Sequence, residues 1–353
     1  MVCLGTERLT QGDGIYNIED KATGLKGVIA IDSTTLGPAA GGCRLWSYAT
    51  NAEATADAVR LARGMTYKNA LADLPFGGGK AVLQMPPAPF DRKAMFRAFG
   101  AAVQELGGQY VTAEDVGTNV RDMEAVREKT SYVAGLTTQS GMAGGDPSPW
   151  TSLGIFLSMQ EAARSVLNRE LSQVKVAIQG TGSVGGGLAR LLHKAGAKLV
   201  LADPCRERVE ALARELGAII VDPLDIIQAE ADVFAPCAMG GSISKQTIPH
   251  LRATVVCGGA NNQLADGDVG DELLRRAIAY MPDYLVNAGG IISVSAEYLG
   301  ETREQVAERV AKIPERLRAV LGLAANAARS PHHIADEMVQ AKLHSRDRES
   351  AAS

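Results

Sequence analysis

A glycine-rich turn between two β-rich runs constrains this chain more than any other feature. The run Gly180-Thr181-Gly182-Ser183-Val184-Gly185 has the spacing G-x-G-x-x-G. The stretch "VKVAIQ" precedes it, the amphipathic helical pattern "LARLLHKAG" follows it, and a second β-rich run ends at Asp203. A strand, a glycine turn, a helix and a second strand in this order are typical of a dinucleotide-binding βαβ unit. The sequence therefore predicts a Rossmann-type α/β domain around this turn.

The same turn predicts a bound dinucleotide. Glycine lets the backbone approach a pyrophosphate, and the N-terminus of the following helix supplies free N–H groups and a positive dipole end. Asp203 is expected to accept hydrogen bonds from the adenosine ribose, and its charge would repel a 2′-phosphate, so NAD is favoured over NADP. Arg206 and Arg208 lie close by and leave NADP as the alternative, and a tight turn without a ligand is the other. The residues predicted to bind the dinucleotide through the turn are Gly180, Gly182, Ser183, Val184 and Gly185.

The length of 353 residues predicts two domains. After Gln173, short β-rich runs alternate with helical or turn-rich segments, as in a parallel sheet covered by helices. Residues 137–149, "TTQSGMAGGDPSP", are typical of a loop or hinge. We therefore predict an α/β fold with two domains. These are a substrate-binding and oligomerisation domain of residues 1–136, completed by a C-terminal helix of residues 330–353, and an NAD-binding Rossmann domain of residues 137–329.

Local patterns predict several elements outside the Rossmann domain. The stretch "LKGVIAIDS" (Leu25–Ser33) predicts a strand, and "LGPAAGGCR" after it predicts a glycine-rich turn. Apolar residues recur at helical spacing over residues 51–73, and residues 92–106 predict a second helix. Asn119 is a candidate N-cap. Further helices are predicted over 301–328 and 332–343, followed by a loose polar tail.

Composition excludes several classes of protein. The content of 46% hydrophobic and 22% charged residues is that of a soluble globular protein. A net charge of −4 without a Lys/Arg block argues against a nucleic-acid partner. The charged first thirty residues fit no signal peptide, and no apolar run approaches the roughly 18 residues of a membrane span. Five scattered cysteines without a C-x-x-C pair predict no zinc site or other metal site and a reducing cytoplasm.

Two lysines lie in the mostly apolar stretch "GMTYKNALADLPFGGGKAVL". Both could be surface lysines with solvated ammonium groups. Against this, Lys80 follows three glycines, where the backbone can approach a ligand closely. Lys68 ends an apolar helical pattern, and Asp115 lies in a loop after a strand, a usual place for a catalytic carboxylate. These three residues are therefore candidates for one active site.

Beside a nicotinamide, two lysines and an aspartate suit the chemistry of an amine. One lysine can hold an α-carboxylate as a fixed charge. A desolvated lysine near a second cation has a pKa lowered from about 10.4 toward neutrality, so it can act as a general acid or base. An aspartate can exchange a proton with the amine. Hydride loss from Cα gives an imine, and attack by an activated water gives ammonia and a 2-oxo acid.

Several stretches identify a family. They are "TTLGPAAGGCR", "RGMTYKNALADLPFGGGKAV", "YVTAEDVGTN", "QGTGSVGGGLA", "DVFAPCAMGG", "GGANNQL" and "DYLVNAGGIISV". In them the chain resembles the Glu/Leu/Phe/Val dehydrogenase family, the NAD(P)-dependent oxidative deaminases of L-amino acids. The resemblance covers nearly the whole chain apart from the first 25 and last 50 residues. It implies a substrate domain and a Rossmann domain that close over a catalytic cleft, and a homo-oligomer assembled through the substrate domain with the number of subunits left open.

The resemblance also implies roles for matched positions. Lys68 binds the substrate carboxylate, Lys80 is the catalytic lysine, and Asp115 handles the proton at the amino nitrogen. Gly41 and Met65 border the substrate. The positions implied around the nicotinamide and its ribose are Thr151, Ala238, Met239, Gly240, Asn261 and Asn287.

The substrate is predicted to be an apolar L-amino acid. Glutamate dehydrogenases have a lysine at the Ala40 position, and a buried γ-carboxylate without that partner is prohibitive. The leucine enzymes typically have leucine there, so alanine favours a bulkier substrate such as phenylalanine. The stretches "TAEDVGT" and "GGIISVSAEYLG" look more like the leucine enzymes. We therefore predict a leucine-type enzyme ahead of a phenylalanine or tryptophan dehydrogenase. The candidate pocket walls are Ala40, Ala113, Ile291 and Val294.

Two rival functions remain open at this point. A non-catalytic NAD-binding sensor would keep the fold without the reaction. A 2-hydroxy acid dehydrogenase normally uses a histidine as its acid or base, and the five histidines of this chain look structural or solvated. A requirement for ammonia in the reductive direction separates the two enzyme classes.

Overall fold

The computed structural model describes residues 3–7, 14–137 and 140–352. These residues form two compact units. The first unit consists of the described residues up to Asp146, of Ser293–Val306 and of the described residues from Val339 onward. The second unit consists of Pro147–Ile292 and Ala307–Met338.

This division differs from the predicted domain boundaries of 1–136 with 330–353 and of 137–329. Residues 293–306 and the described part of 137–146 belong to the first unit, and residues 330–338 belong to the second. Three of the crossings, after Ile292, Val306 and Met338, lie within helices, so no turn or linker pattern marks them.

The first unit contains a mixed six-stranded sheet. Its strands are β1 (Cys3–Glu7), β2 (Gly14–Asp20), β3 (Leu25–Ser33), β4 (Ala39–Trp46), β5 (Gly77–Gln84) and β6 (Tyr110–Glu114). Its helices include α1 (Asn51–Leu71), α2 (Arg92–Glu105) and α3 (Val120–Arg127). The strand order is β1-β2-β3-β5-β4-β6, with β4 parallel to both of its neighbours and the other pairs antiparallel.

Helices cover both faces of this sheet. On one face α1 packs through Ala58 and Ala62 against Val82 of β5. On the other, Phe96 and Phe99 of α2 pack in a core that includes Leu83. Because successive residues of a strand point to opposite faces, Lys80 and Val82 share the face that α1 covers.

The predicted strand at Leu25–Ser33 and the two predicted helices are confirmed as β3, α1 and α2. Asn119 is confirmed as the N-cap of α3, in a capping box with Asp122. The predicted turn "LGPAAGGCR" is confirmed only for residues 36–38. From Ala39 onward it is wrong, because β4 begins there and runs through Gly41 and Gly42. A Cβ at Gly41 would clash with the carbonyl oxygen of Gly79 on β5. These glycines therefore serve close packing of strands.

The second unit contains a six-stranded parallel sheet, which confirms the predicted architecture. Its helices include α4 (Ser148–Ser165), α5 (Ser183–Lys194), α6 (Arg206–Leu216), α7 (Asp268–Arg275) and α8 (Asp283–Val286). Its strands are β7 (Lys175–Gln179), β8 (Lys198–Ala202), β9 (Ile219–Ile220), β10 (Val233–Pro236), β11 (Val255–Val256) and β12 (Ala279–Tyr280). The order β12-β11-β10-β7-β8-β9 reverses direction at β7, where a doubly wound sheet has its binding crevice.

The last part of the chain is helical. It contains α9 (Gly289–Tyr298), α10 (Arg303–Val310), α11 (Ile313–Ala327) and α12 (Pro331–Ala352). The helix predicted over 301–328 is therefore two helices, and Pro314 lies in the first turn of α11, where proline is tolerated. The predicted loose tail is wrong as far as Ala352, because α12 continues through it. Within the described residues, no helix is both long and apolar enough for a membrane span.

Candidate active site

A buried ion pair joins two of the predicted catalytic residues. Lys80 of β5 is only 5% exposed, and its Nζ lies 3.0 Å from Oδ2 of Asp115, which follows β6. Strand β4 lies between these strands, and a Cβ at its residue Gly42 would come within 2.9 Å of the Asp115 Cβ. The Thr118 hydroxyl accepts a hydrogen bond from the Asp115 N–H at 2.8 Å and fixes the loop. The structure therefore brings Lys80 and Asp115 together as predicted.

Arg44 completes this pair, and the sequence analysis missed it. Its Nε donates to Oδ2 of Asp115 at 3.0 Å, the same oxygen that Lys80 contacts. Its Nη1 donates to Oδ2 of Asp57 at 2.9 Å. The missed signal is the alternation along β4, since Gly42 and Arg44 share a face once this segment is a strand. The core of the candidate site is therefore a triad of two cations and one carboxylate.

The electrostatic surroundings keep Asp115 ionised. Burial raises the pKa of its carboxyl group, but the charges and hydrogen bonds of Lys80 and Arg44 lower it by more, so the pKa lies below its usual value. Asp115 is therefore ionised at neutral pH, and its carboxylate can accept hydrogen bonds.

Packing within the sheet requires glycine at the three positions before Lys80, and the predicted approach of a ligand there stays a prediction. A Cβ at Gly77 would clash with the Ser33 carbonyl, and one at Gly78 would clash with Thr66 of α1. A Cβ at Gly79 would come within 2.8 Å of the Tyr110 ring. The three glycines therefore allow β5 to pack closely against its own neighbours, and this packing fixes Lys80 in the buried sheet.

Other predicted substrate residues lie on elements next to this pair. Lys68 is half-buried in the last turn of α1, and Met65 is half-buried one turn earlier. A Cβ at Gly41 would come within 3.1 Å of the Met65 side chain. Ala40 on β4 and Ala113 on β6 are buried in the same sheet. Five of the seven predicted substrate positions thus lie on α1 and on strands β4 and β6 of the first unit.

The remaining two pocket positions lie on α9. Ile291 and Val294 are both half-buried, and the division of the chain assigns Ile291 to the second unit and Val294 to the first. Their predicted role as pocket walls stays a prediction.

The glycine turn of the second unit has the geometry of an anion site. Gly180 has a φ of +91°, and a Cβ at Gly185 would clash with the Gly180 carbonyl, so the fold itself requires glycine at both. A Cβ at Gly182 would meet nothing closer than Nη1 of Arg208 at 3.7 Å. Gly182 is the N-cap of α5 and supplies no side-chain acceptor to its first turn. The fold leaves open space there, as a phosphate group approaching free N–H groups requires.

The Asp203 carboxylate, directly after β8, anchors this turn through hydrogen bonds. Its Oδ2 accepts hydrogen bonds from the N–H of Thr181 at 2.7 Å and from its hydroxyl at 3.0 Å, and its Oδ1 accepts one from the N–H of Cys205. Nη2 of Arg208 lies 3.6 Å from Oδ1. Burial raises the pKa of Asp203, but these hydrogen bonds and the Arg208 charge lower it to below its usual value. Asp203 therefore holds the turn in place, and its binding of a ribose stays a prediction.

The predicted nicotinamide positions cluster after neighbouring strands of this sheet. Ala238, Met239 and Gly240 form an exposed loop beyond β10, with Met239 81% exposed. Beyond β11, Oδ1 of Asn261 accepts a hydrogen bond from Nδ2 of Asn287 at 2.9 Å.

One buried polar atom points to a ligand at this edge. Oδ1 of Asn287 is buried and has no hydrogen-bond partner among the described residues. A buried amide oxygen of this kind needs a donor such as a carboxamide. Thr151 is half-buried in the first turn of α4, next to Ser152, whose hydroxyl donates to the Val184 carbonyl at 2.8 Å. These residues fit a nicotinamide dinucleotide.

The histidines do not support the 2-hydroxy acid alternative. His193 and His250 are exposed. His332 is buried with its Nδ1 2.6 Å from the Ser330 hydroxyl, and burial lowers its pKa to about 4. A neutral, packed histidine of this kind is structural.

Comparison with known proteins agrees with this geometry. Residues 14–132 match the description "Glu/Leu/Phe/Val dehydrogenase, dimerisation domain". Residues 146–203 and 206–344 match "Glutamate/Leucine/Phenylalanine/Valine dehydrogenase".

Individual relatives extend over most of the chain. A leucine dehydrogenase of Geobacillus stearothermophilus is 45% identical over 326 residues, which cover 92% of this chain and 89% of that protein. A valine dehydrogenase of Streptomyces albus is 42% identical over 329 residues, covering 92% of this chain and 90% of that protein. The crystal structure of L-tryptophan dehydrogenase from Nostoc punctiforme superimposes with a TM-score of 0.83 at 35% identity, over 96% of this chain and 97% of that one. The chain therefore belongs to the Glu/Leu/Phe/Val dehydrogenase family, and it is an amino acid dehydrogenase that uses a nicotinamide dinucleotide, NAD(P).

Proposed function

We propose that this chain catalyses the reversible, NAD-dependent oxidative deamination of an apolar L-amino acid to a 2-oxo acid and ammonia, with leucine as the first candidate substrate. The observation that carries the proposal is the buried Lys80–Asp115 pair, with 3.0 Å between Nζ and Oδ2. A carboxylate held ionised next to an ammonium group provides a proton acceptor and a proton donor within one hydrogen bond.

Three residues of the first unit, Lys68, Asp115 and Lys80, have separate roles in the proposed reaction. Lys68 holds the substrate α-carboxylate, so Cα and the amino group face Asp115. Asp115 accepts a proton from the substrate ammonium group. A bound nicotinamide would supply the acceptor for the hydride that leaves Cα. Lys80, in its neutral form, takes a proton from a water molecule that attacks the imine carbon. Asp115 then returns its proton to the nitrogen. The C–N bond breaks as the new hydroxyl group gives its proton to the Asp115 carboxylate, which releases ammonia and leaves the 2-oxo acid.

The proposed NAD site uses the glycine turn and the strand ends around it. The N-terminus of α5 at Gly182 would hold the pyrophosphate, and Asp203 would accept a hydrogen bond from the adenosine ribose. Asp203 supports NAD over NADP because a 2′-phosphate would meet its carboxylate. Arg208, 3.6 Å from Oδ1, offsets part of that repulsion, so the preference is a matter of degree. The residues proposed around the nicotinamide are Thr151, Ala238, Met239, Gly240, Asn261 and Asn287.

The proposed substrate class follows from the absence of charge at Ala40. This residue is buried and offers no partner to a γ-carboxylate, so glutamate is disfavoured. Leucine and valine dehydrogenases among the relatives support a branched-chain substrate. The phenylalanine or tryptophan type is the alternative, because a missing methylene in an apolar pocket changes binding by only about 1–3 kcal/mol.

The first prediction concerns substrates. We expect NADH formation at alkaline pH with Leu, Ile and Val, weaker or comparable turnover with Phe and Trp, and little with Glu. NADP in place of NAD is expected to lower kcat/KM. Initial rates at 340 nm with each amino acid and each cofactor check this. Absence of turnover with every amino acid, from folded protein that still binds NAD, would favour the non-catalytic sensor.

The second prediction separates substrate binding from chemistry. Lys68→Ala is expected to raise KM for the amino acid about 10- to 100-fold, because it removes a charge-assisted hydrogen bond to the carboxylate. Turnover at saturation should fall much less. The matched control is Lys93→Ala, which removes an exposed helical lysine of the same unit. An unchanged KM in Lys68→Ala would remove this residue from the proposed site.

We also propose a homo-oligomer in the cytoplasm. The matched description of residues 14–132 as a dimerisation domain supports self-association. Free thiols at Cys43, Cys205, Cys237 and Cys257 among the described residues support a reducing compartment. The molar mass by light scattering tests the assembly.

A further inference from the structure

Both charged partners of Asp115 contact the same oxygen. Nζ of Lys80 and Nε of Arg44 each lie 3.0 Å from Oδ2. A carboxylate oxygen accepts two hydrogen bonds, so these two donors saturate Oδ2. Within the described chain, no hydrogen bond or ion pair reaches Oδ1 of Asp115. The carboxylate therefore presents one occupied oxygen and one available oxygen.

A second carboxylate, that of Asp57, anchors the Arg44 guanidinium. Nη1 of Arg44 donates to Oδ2 of Asp57 at 2.9 Å, and the same Asp57 oxygen accepts from the Tyr48 hydroxyl at 2.6 Å. Nη2 of Arg60 donates to Oδ1 of Asp57 at 2.6 Å. Burial raises the pKa of Asp57, but these hydrogen bonds and charges lower it to below its usual value, so Asp57 is an anion. The guanidinium of Arg44 thus bridges two fixed carboxylates, one on α1 and one after β6.

We propose that Arg44 is a positioning residue that fixes the Asp115 carboxylate through Oδ2 and leaves Oδ1 to receive the proton of the substrate amine. This inference rests on the proposed function, since it assigns Asp115 as the proton acceptor. Arg44 touches neither substrate nor cofactor in this assignment.

The chemistry gives a reason for a second cation. In the proposed reaction Lys80 passes through a neutral state, and in that state it no longer stabilises the negative charge of Asp115. The guanidinium of arginine stays protonated throughout, so Arg44 is the permanent counter-charge. The side-chain torsion that rotates a carboxylate has a broad distribution of angles. The planar guanidinium of Arg44, anchored by Asp57, limits that rotation for Asp115.

The surroundings of Asp115 predict the direction of a pH effect. Lys80 of β5 and Arg44 of β4 are the cations that face it. The Cys43 thiol of β4 and the Tyr110 phenol of β6 lie nearby and stay neutral, because burial raises the pKa of both. Without Arg44, burial is opposed by Lys80 alone, so the pKa of Asp115 rises. The acid limb of kcat/KM then moves to higher pH.

The third prediction tests this with Arg44→Met and Arg44→Lys. Arg44→Met is expected to lower kcat about 100-fold through misplacement of the carboxylate, with KM for the amino acid little changed. Its acid limb should move up by about one pH unit or more. Arg44→Lys restores the cation, so it should restore the acid limb and only part of kcat. Arg97→Met, an exposed arginine of α2 paired with Glu128, is the control for loss of an arginine.

A second variant and a direct titration of the Asp115 carboxyl group test the same inference. If Arg44→Met does not fold, Asp57→Asn takes its place, and it should move the limb in the same direction by a smaller amount. Wild-type turnover tests the proposed function separately. If the wild type has none, ¹³C NMR titration of the aspartate carboxyl groups, with Asp115→Asn for assignment, still reports whether loss of Arg44 raises the pKa of Asp115. A lower kcat with an unmoved acid limb, or an unmoved carboxyl titration, would overturn the inference and leave Arg44 with a packing role.

Discussion

Lys80→Met is expected to lower kcat for the amino acid about 1,000-fold while NAD binding stays unchanged. General acid–base groups contribute roughly 100- to 10,000-fold to turnover, and this residue is proposed to activate the attacking water. Methionine keeps much of the side-chain volume, and Arg44 remains on Asp115 to balance its charge. The substitution therefore removes a proton donor and acceptor without leaving an unpaired buried anion.

The measurement is steady-state kinetics together with NAD titration by fluorescence. The matched control is Lys26→Met, which removes an exposed lysine of β3, the strand that pairs with β5. Thermal unfolding of both variants establishes that they fold. Turnover of Lys80→Met within about tenfold of wild type would show that the water is activated by another group.

Gly182→Ala is expected to weaken NAD binding about 100-fold, with a loss of only about 1 kcal/mol in stability without cofactor because alanine is a poorer N-cap than glycine. The Cβ would enter space that the protein leaves open, because the nearest atom is Nη1 of Arg208 at 3.7 Å. A pyrophosphate in that space loses hydrogen bonds to the first turn of α5, and each such bond to a charged group contributes about 1.5–3 kcal/mol. Isothermal titration calorimetry with NAD measures the loss.

Two other glycines make this test specific. Gly322→Ala on α11, where a Cβ meets nothing within 4 Å, controls for loss of a glycine in the same unit. Gly185→Ala should instead destabilise the unit, because its Cβ would clash with the Gly180 carbonyl. Wild-type affinity for NAD in Gly182→Ala would place the pyrophosphate elsewhere.

The sequence predicted the second unit better than the first. Strands β7 and β8, helix α5 and the turn between them are encoded by contiguous residues, so periodicity and turn chemistry indicate them directly. In the first unit, the glycines of β4 predict a turn, because glycines usually mark turns. Gly41 and Gly42 are required instead because a Cβ at either position would clash with backbone atoms of a neighbouring strand. No local sequence pattern reveals such a contact.

Some residues of the candidate site could likewise be predicted from the sequence, and others could not. Lys68, Lys80 and Asp115 were found from their apolar or loop surroundings and from the family resemblance. Arg44 was not, because its contact with Asp115 joins residues 71 positions apart and exists only once β4 lies between β5 and β6. Likewise, the sequence assigned Asp203 to a ribose, and the structure adds that its carboxylate binds the backbone of the glycine turn.

The sequence by itself determined the parallel sheet of the second unit, the dinucleotide turn, the family and three residues of the proposed chemistry. These depend on short-range signals, such as spacing, turn residues and residue type, that a chain carries locally. Only the tertiary structure decided that two cations share one oxygen of Asp115, that Gly77, Gly78 and Gly79 serve packing, and where the two units exchange segments. Those features depend on strand register and on backbone approach between distant segments, which arise when the sheet assembles.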